Sequence, residues 1–285
     1  MKLILVETGQ KLMATANNNL NILTNQELSI QISLNGLSFC ILQLDINTIT
    51  YLKHFPSQQK QTPFQVLDDL KLIFNTEDEL QNEFKAIHVI YINELSTLVP
   101  KPLFNEKAIA DYLKFNSKIL KTDFIAYDEI TINDSVNVYV PYMNINNYLY
   151  ERFGAFAYKH YSTILIEEIL QIEKHAQDQK MYVHVEATHF EIIVTTNGKL
   201  TLYNTFEYST KEDFIYYILF TSEQLSLNPE SLILVLIGNI TEGNDLYHIA
   251  YKYIRHVQLG QSNSSYIIDI EKTSQQSNYI LTHSF

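Results

Sequence analysis

The chain has 285 residues, 46% of them hydrophobic and 18% charged, which predicts one large or two medium folded domains. Its formal net charge of -12 argues against nucleic-acid partners and anionic membranes, because the long-range field repels both. No stretch approaches the roughly 20 apolar residues that cross a bilayer, so we expect no membrane insertion. The N-terminal apolar run is too short for a signal peptide. With Cys40 as the single cysteine, an intramolecular disulfide is impossible and a cytoplasmic location is expected.

The first half begins with three strand-like runs. The first two flank Asn35 and Gly36, and Asn-Gly between apolar runs is a strong hairpin signal. A helical spacing of apolar residues follows, and then a short apolar run typical of a buried strand. The predicted elements are strands at 27–34, 37–44 and 48–55, a helix at 64–74 and a strand at 85–92.

The second half shows the same pattern. Asn197 and Gly198 mark a hairpin turn, and Ser209 is the predicted N-cap of the helix that follows. The predicted elements there are strands at 181–187, 190–196 and 199–208, a helix from 210, a strand at 231–238 and a helix at 243–257. Between the halves we predict strands at 124–130, 136–142 and 155–161, a short helix at 145–153 and a longer one at 162–177.

The stretch 107–121, which carries four lysines, also reads as a helix, so the order strand, strand, strand, helix, strand, helix occurs twice. A shift of about 153 residues lays Ser33 on Glu186 and Thr48 on Thr201. We interpret this as an internal duplication, with one subdomain at 1–160 and a second at 161–285 that includes the leading connecting helix. A chance match of short strand patterns is the alternative.

A duplicated unit of three antiparallel strands, helix, strand and helix resembles the actin-like ATPase fold. That fold is an α/β fold with mixed sheets, in which two ribonuclease-H-like subdomains face a cleft. Within it, the stretches 28–42 and 153–170, and the second hairpin with 232–238, are similar to a bacterial family of domain-of-unknown-function proteins, family 3822. The fold is also similar to that of pilus-assembly and secretion-platform proteins, several of which use it for protein contacts.

The resemblance implies where a nucleotide would bind. Active actin-like enzymes use an Asp-x-Gly turn in the first hairpin of each half, where glycine lets backbone N–H groups approach phosphate and the carboxylate holds Mg²⁺ through water. The matching turns here are residues 33–35 and 186–188, and neither has glycine at the expected place. Of these positions, only Glu186 could still anchor Mg²⁺.

The adenosine-binding segment implied by the resemblance is a Gly-Gly pair after the fourth strand of the second half. Here the segment is 237–239, with one glycine. The chain has 7 glycines in all and neither a P-loop nor a GxGxxG fingerprint, which argues against phosphoryl transfer. The residues of this degenerate nucleotide site are Ser33, Asn35, Glu186, Thr188, Gly238 and Asn239.

Other chemistries have weaker signals. His184 and Glu186 lie on one face of a predicted strand, and we expect a hydrogen-bonded structural pair there in preference to a pair of metal ligands. No GxSxG elbow surrounds a serine, and Cys40 lies inside an apolar strand, where a small buried hydrophobic side chain is expected. We therefore predict no metal site and no catalytic residue.

The chain has 20 tyrosines and no tryptophan. Some of them lie on predicted helices, where tyrosine faces can anchor interfaces, although an AT-rich coding bias would also enrich tyrosine. The candidates are Tyr216, Tyr217, Tyr247, Tyr251 and Tyr253.

The resulting hypothesis is a cytoplasmic, non-catalytic binding or scaffold protein without a cofactor, which binds a protein partner or self-associates. The alternative is a nucleotide-binding protein or ATP-dependent phosphotransferase that holds ATP and Mg²⁺ with Glu186, Thr188 and Gly238. A purely structural dimer is a third possibility, which self-association of the purified protein would separate from the first.

Overall fold

The computed structural model describes residues 25–115, 117–120, 122–260, 266–268 and 279–285. The N-terminal run considered above as a signal segment lies outside these ranges. The strands are β1 (Gln26–Ser33), β2 (Gly36–Gln43), β3 (Thr48–Pro56), β4 (Ala86–Ile92), β5 (Ser96–Pro100), β6 (Ala126–Ile130), β7 (Ser135–Tyr139), β8 (Ala157–His160), β9 (Gln179–Val185), β10 (His189–Thr196), β11 (Lys199–Glu207), β12 (Ile233–Gly238), β13 (His256–Leu259) and β14 (Ile267–Ile268). The α-helices are α1 (Pro63–Thr76), α2 (Ile109–Lys114), α3 (Met143–Phe153), α4 (Tyr161–Ile172), α5 (Lys211–Gln224), α6 (Asp245–Tyr253) and α7 (Tyr279–Thr282). None of the helices within the described ranges is long and apolar enough to span a membrane.

The chain divides into two compact units. The described residues of unit 1 fall within 25–165, 266–268 and 280–285, and those of unit 2 are 166–260 and Tyr279. The predicted boundary follows residue 160, and the two units divide five residues later, between Leu165 and Ile166 inside α4. The C-terminal residues 266–268 and 280–285, assigned to the second subdomain from sequence, group with unit 1. For the first of these segments the reason is backbone pairing, because Ile267 pairs in parallel with Thr48 of β3.

Unit 1 is built on a six-stranded mixed sheet in the order β14-β3-β2-β1-β4-β8. Alternating residues of β1 are fully buried in the core, and α1 packs there through Val66, Leu70 and Phe74. The helix begins in a capping box, in which Thr62 accepts from the backbone N–H of Gln65 and the Gln65 side chain accepts from Thr62. Local capping and apolar spacing thus explain the predicted helix.

A three-stranded antiparallel sheet, β5-β7-β6, is inserted in unit 1 between β4 and α3. Its core is a small apolar cluster of Val99, Leu113, Val136, Val138 and Val140. The sequence predicts β6 and β7 but not β5. β5 is only five residues long and ends in proline, which weakens the strand signal.

Unit 2 contains a five-stranded sheet in the order β11-β10-β9-β12-β13, the same order as β3-β2-β1-β4-β8. Pairing is antiparallel in the β9–β10–β11 meander and parallel for β12 with β9 and β13. The register shifts between Ile41 and Leu42 in β2 and between Val194 and Thr195 in β10, which is the same place after the predicted 153-residue shift. The topology and the position of this irregularity confirm the predicted repeat.

Three local predictions need correction. The N-cap of α5 is Thr210 instead of Ser209, because the Thr210 hydroxyl accepts from the backbone N–H of Asp213. The first hairpin loop is Leu34 and Asn35, with Gly36 already in β2. The connecting helix ends at Ile172 instead of residue 177.

Candidate functional site

The β9–β10 hairpin of unit 2 carries the predicted turn at 186–188. The backbone N–H of Glu186 donates to the carbonyl of His189 over 2.9 Å and closes the turn. Tyr208 holds it from the side, since its hydroxyl donates to the Glu186 carbonyl (2.7 Å) and its backbone N–H to the Thr188 carbonyl (3.1 Å). The turn is therefore fixed by hydrogen bonds within unit 2.

Four ionisable side chains cluster beneath this turn. His184 Nδ1 lies 2.8 Å from Glu191 Oε2, and His184 Nε2 lies 3.6 Å from Glu186 Oε1. Glu191 Oε1 also lies 3.4 Å from His189 Nε2. The His184 and Glu191 side chains are 2% and 0% exposed, whereas Glu186 retains 27% exposure. His184 and Glu186 are within ion-pair distance but not hydrogen-bonded as expected; the hydrogen-bonded partner of His184 is Glu191.

The cluster changes the protonation of its members. Burial lowers the pKa of His184, but the hydrogen bond and charge of Glu191, with the charge of Glu186, outweigh it and leave the pKa raised. Burial also raises the pKa of Glu186, and the neighbouring Glu191 carboxylate adds to this against the opposing effect of the two histidines. The raised pKa favours the cationic form of His184 beside Glu186, and that form repels a second cation, which disfavours Mg²⁺ at this carboxylate.

The second half of the predicted site lies next to Glu186. Gly238 is the last residue of β12 and pairs in parallel with Val185, so the carboxyl ends of two parallel strands bring Glu186, Thr188, Gly238 and Asn239 to one edge of the sheet. Ligands of open α/β sheets bind at such edges.

Gly238 has a structural reason to be glycine. Its φ is +86°, and a Cβ there would lie 2.5 Å from the Val185 carbonyl oxygen. The backbone N–H of Asn239 donates to that same carbonyl over 2.7 Å, and the N–H of Ile240 donates to the Gly238 carbonyl over 2.9 Å. The turn thus packs against β9 with its own donors engaged.

The other predicted turn belongs to unit 1. The Ser33 hydroxyl accepts from the backbone N–H of Asn35 over 3.0 Å and donates to the Gly36 carbonyl over 3.2 Å. The carbonyls of Asn35 and Leu34 accept from the backbone N–H groups of Ser57 (2.9 Å) and Gln61 (2.7 Å). This turn is also hydrogen-bonded internally, with a serine hydroxyl where an active enzyme would have a carboxylate.

A further polar cluster in unit 1 combines Ser162, His160 and Asp128, the residue types of a catalytic triad. His160 Nδ1 lies 2.7 Å from Ser162 Oγ, but Nε2 lies 3.1 Å from the backbone carbonyl of Asn93. Asp128 accepts from the backbone N–H of His160 and from the hydroxyls of Tyr139 and Thr163. Ser162 and His160 are fully buried, so this cluster packs the core and offers no nucleophile to a substrate.

Sequence reasoning missed Glu191 of the unit 2 cluster. Glu191 lies within an apolar run and directly opposite His184 in the β9–β10 register. A hairpin register centred between residues 187 and 188 pairs these two residues, and that is the sequence signal for their contact. Cys40 is fully buried, as predicted, and burial raises the pKa of its thiol. Among the described residues, no group of three or more His, Cys, Asp or Glu side chains is arranged to hold a metal ion.

Comparison with known proteins identifies the fold. Residues 15–257 match the family described as "Protein of unknown function (DUF3822)". A Bacteroides thetaiotaomicron protein with actin-like ATPase fold and unknown function is 25% identical, with a TM-score of 0.74 over 83% of this chain and 91% of that one. The PilM-PilN type IV pilus biogenesis complex contains a similar fold at 9% identity, with a TM-score of 0.58 over 90% of this chain and 97% of that one. No curated protein matches this sequence.

Proposed function

The chain belongs to the DUF3822 family of proteins of unknown function, and we propose that it is a non-catalytic binding or scaffold protein on the actin-like ATPase fold. One observation carries the proposal: at each of the three predicted phosphate-contacting turns, one backbone donor is used internally. The N–H groups of Asn35, Glu186 and Asn239 donate to the Ser33 hydroxyl, the His189 carbonyl and the Val185 carbonyl. An anion site needs such donors to point at the ligand, so binding phosphate through these three N–H groups would require breaking these bonds.

The electrostatics support the same proposal. Glu186 is the one carboxylate at the predicted turns, and its partner His184 has a raised pKa. Phosphoryl transfer depends on a metal held close to the phosphates, and a cationic imidazole at this distance opposes metal binding. Binding by contact with a protein partner has no such requirement. PilM, named above in a complex with PilN, shows that a protein of this fold can enter a protein complex.

One arrangement favours the nucleotide-dependent alternative. Glu186 and Gly238 lie at the carboxyl ends of adjacent parallel strands, and Glu186 is a partly exposed carboxylate with a raised pKa, as a general base requires. ATP and Mg²⁺ would be the cofactors under this alternative. We propose the cytoplasm as the location in either case, on the basis of the single, buried cysteine.

The deciding experiment measures ATP hydrolysis and thermal unfolding of the purified protein with Mg²⁺ and a panel of nucleotides. We expect no hydrolysis and no shift in Tm, whereas a ligand at 100 times its Kd would add roughly 2.7 kcal/mol of stability. The variant Glu186→Ala is compared with Glu207→Ala, an exposed glutamate of the same unit. Mg²⁺-dependent hydrolysis lost in the first variant and kept in the second would overturn the non-catalytic role.

A further inference from the structure

The solvent-facing side of helix α5 carries two aromatic residues between two glutamates. These residues, called the α5 stripe, are Glu212, Tyr216, Phe220 and Glu223, and their spacing of four, four and three puts them on one helix face. Tyr216 is 58% exposed and Phe220 is 44% exposed. The opposite face, including Phe214 and Ile218, fills the core of unit 2, so the stripe itself is not needed to hold the helix in place.

The aromatic side chains of this surface are already in contact with one another. The rings of Tyr216 and Phe220 stack with centroids 6.0 Å apart and an interplanar angle of 19°. Tyr216 also contacts Tyr217 edge-on at 5.3 Å, and Tyr217 stacks on Phe206 of β11 at 4.6 Å. Tyr217 and Phe206 are partly buried against the core of unit 2, so they support the ring of Tyr216 from below, and the stripe needs little ordering when a partner binds.

The charges of the stripe have one sign. Glu212 and Glu223 are both exposed, and the one basic residue of α5, Lys211, lies 3.8 Å from Asp245 of α6. A partner that fits must supply positive charge as well as a flat surface that covers aromatic rings. A guanidinium group does both, because it stacks on tyrosine and phenylalanine faces and pairs with carboxylates, whereas a lysine ammonium lacks the planar face.

We propose that the α5 stripe docks an arginine-bearing segment of a protein partner. Arginine side chains of that segment stack on Tyr216 and Phe220, and neighbouring arginines pair with Glu212 and Glu223. This assigns a partner class to the binding role proposed above and rests on that role. It involves none of the turns at 33–35, 186–188 or 237–239.

The repeat supplies a matched control surface on helix α1, which follows β3 as α5 follows β11. Phe64 and Leu72 are 73% and 60% exposed there and lie eight positions apart, two helical turns. Their side chains offer apolar area without a stacked aromatic pair between glutamates. If exposed apolar area alone determined binding, α1 would serve as well as α5.

The test uses the full chain and a short fluorescein-labelled peptide of alternating arginine and serine, with lysine-serine and glutamate-serine peptides as comparators, read by fluorescence anisotropy. We expect the arginine peptide to bind more tightly than the lysine peptide, and the glutamate peptide not to bind. The double variant Tyr216→Ala with Phe220→Ala should weaken arginine-peptide binding roughly tenfold. Phe64→Ala with Leu72→Ala should leave the Kd within about twofold.

The acidic half of the stripe is tested with a charge-matched control. Glu212→Gln with Glu223→Gln should weaken binding and reduce its salt dependence, whereas Glu79→Gln with Glu83→Gln, which removes the same charge from exposed positions in unit 1, should not. Equal weakening by both acidic pairs would show non-specific attraction to net negative charge and overturn the proposal. So would the absence of binding at about 1 mM peptide.

The experiments separate the two proposals. ATP hydrolysis sensitive to Glu186 would refute the non-catalytic role and leave peptide binding at the stripe unaffected. Failure of the peptide experiment would remove the stripe as a docking surface and leave the hydrolysis result unchanged. Far-UV circular dichroism and urea midpoints of each variant confirm that the fold is kept, as expected for exposed positions.

Discussion

Replacing Asp128 by asparagine should remove a pH-dependent cost to stability in unit 1. Asp128 is 3% exposed, and burial raises its pKa from 3.8 to about 6, despite donation from the His160 backbone and the Thr163 and Tyr139 hydroxyls. Below about pH 4 the carboxyl is protonated in both the folded and unfolded states. Between about pH 4 and pH 6 the carboxyl of the unfolded chain has lost this proton, whereas the buried carboxyl of the folded chain still keeps it. The free energy of unfolding therefore falls as pH rises, by about 3 kcal/mol in total for this shift, and stays lower above pH 6.

The Asp128→Asn variant keeps an acceptor oxygen and has no proton to lose, so its curve should lack this fall. The assay is urea denaturation at several pH values between 4 and 7.5, with unfolding monitored by circular dichroism. The sequence pI of about 5.2 lies within this pH range, and a protein of near-zero net charge tends to associate, so the protein is kept at micromolar concentration. Asp68→Asn, at an exposed aspartate of α1, is the control and should run parallel to the wild type. If the Asp128 variant also runs parallel to the wild type, burial does not raise the pKa of this carboxyl.

Two further changes test the unit 2 site. Gly238→Ala should lower the free energy of unfolding by roughly 1–3 kcal/mol, because the positive φ and the carbonyl oxygen 2.5 Å from the new Cβ both oppose a side chain. Gly243→Ala is the control, since a Cβ at Gly243 meets no atom within 4 Å. It should change the free energy of unfolding by less than about 0.5 kcal/mol in the same urea titration. Glu191→Gln removes the nearer carboxylate from a buried imidazolium and leaves Glu186, 3.6 Å away, as its charged partner, so it should cost about 1.5–3 kcal/mol at pH 6, against a near-zero change for Glu207→Gln. Since the pKa of His184 is raised in the folded state, the loss of stability caused by Glu191→Gln should shrink as the pH rises through that pKa. A loss that stays constant with pH would argue against a charged pair.

Much of the fold could be predicted because its signals are local. Asn197 and Gly198 both adopt positive φ, as the Asn-Gly pattern predicts for a tight hairpin. The apolar spacing of α1 and the N-cap signal before α5 place both helices correctly to within a few residues. The repeated order of strands and helices then identifies the fold, because few topologies satisfy it twice.

The inserted sheet and the C-terminal strand could not be predicted in the same way. β5 ends in proline, which weakens its strand signal, and its pairing with β7 joins residues about 40 positions apart. β14 pairs with β3 across more than 200 residues. Pairing at such separations depends on which edges the folded sheets expose, and a strand's own sequence does not record its partner.

The sequence by itself determined the duplicated topology, the positions of the degenerate turns and the missing glycines, because each follows from residue type and short-range spacing. Only the tertiary structure decided how those turns use their hydrogen bonds. The engagement of Asn239 with Val185, the buried pairing of Glu191 with His184, and the exposure of Tyr216 and Phe220 all depend on register and packing between separate elements. These are properties of the assembled sheet and helices, so they appear only when the elements are placed in space.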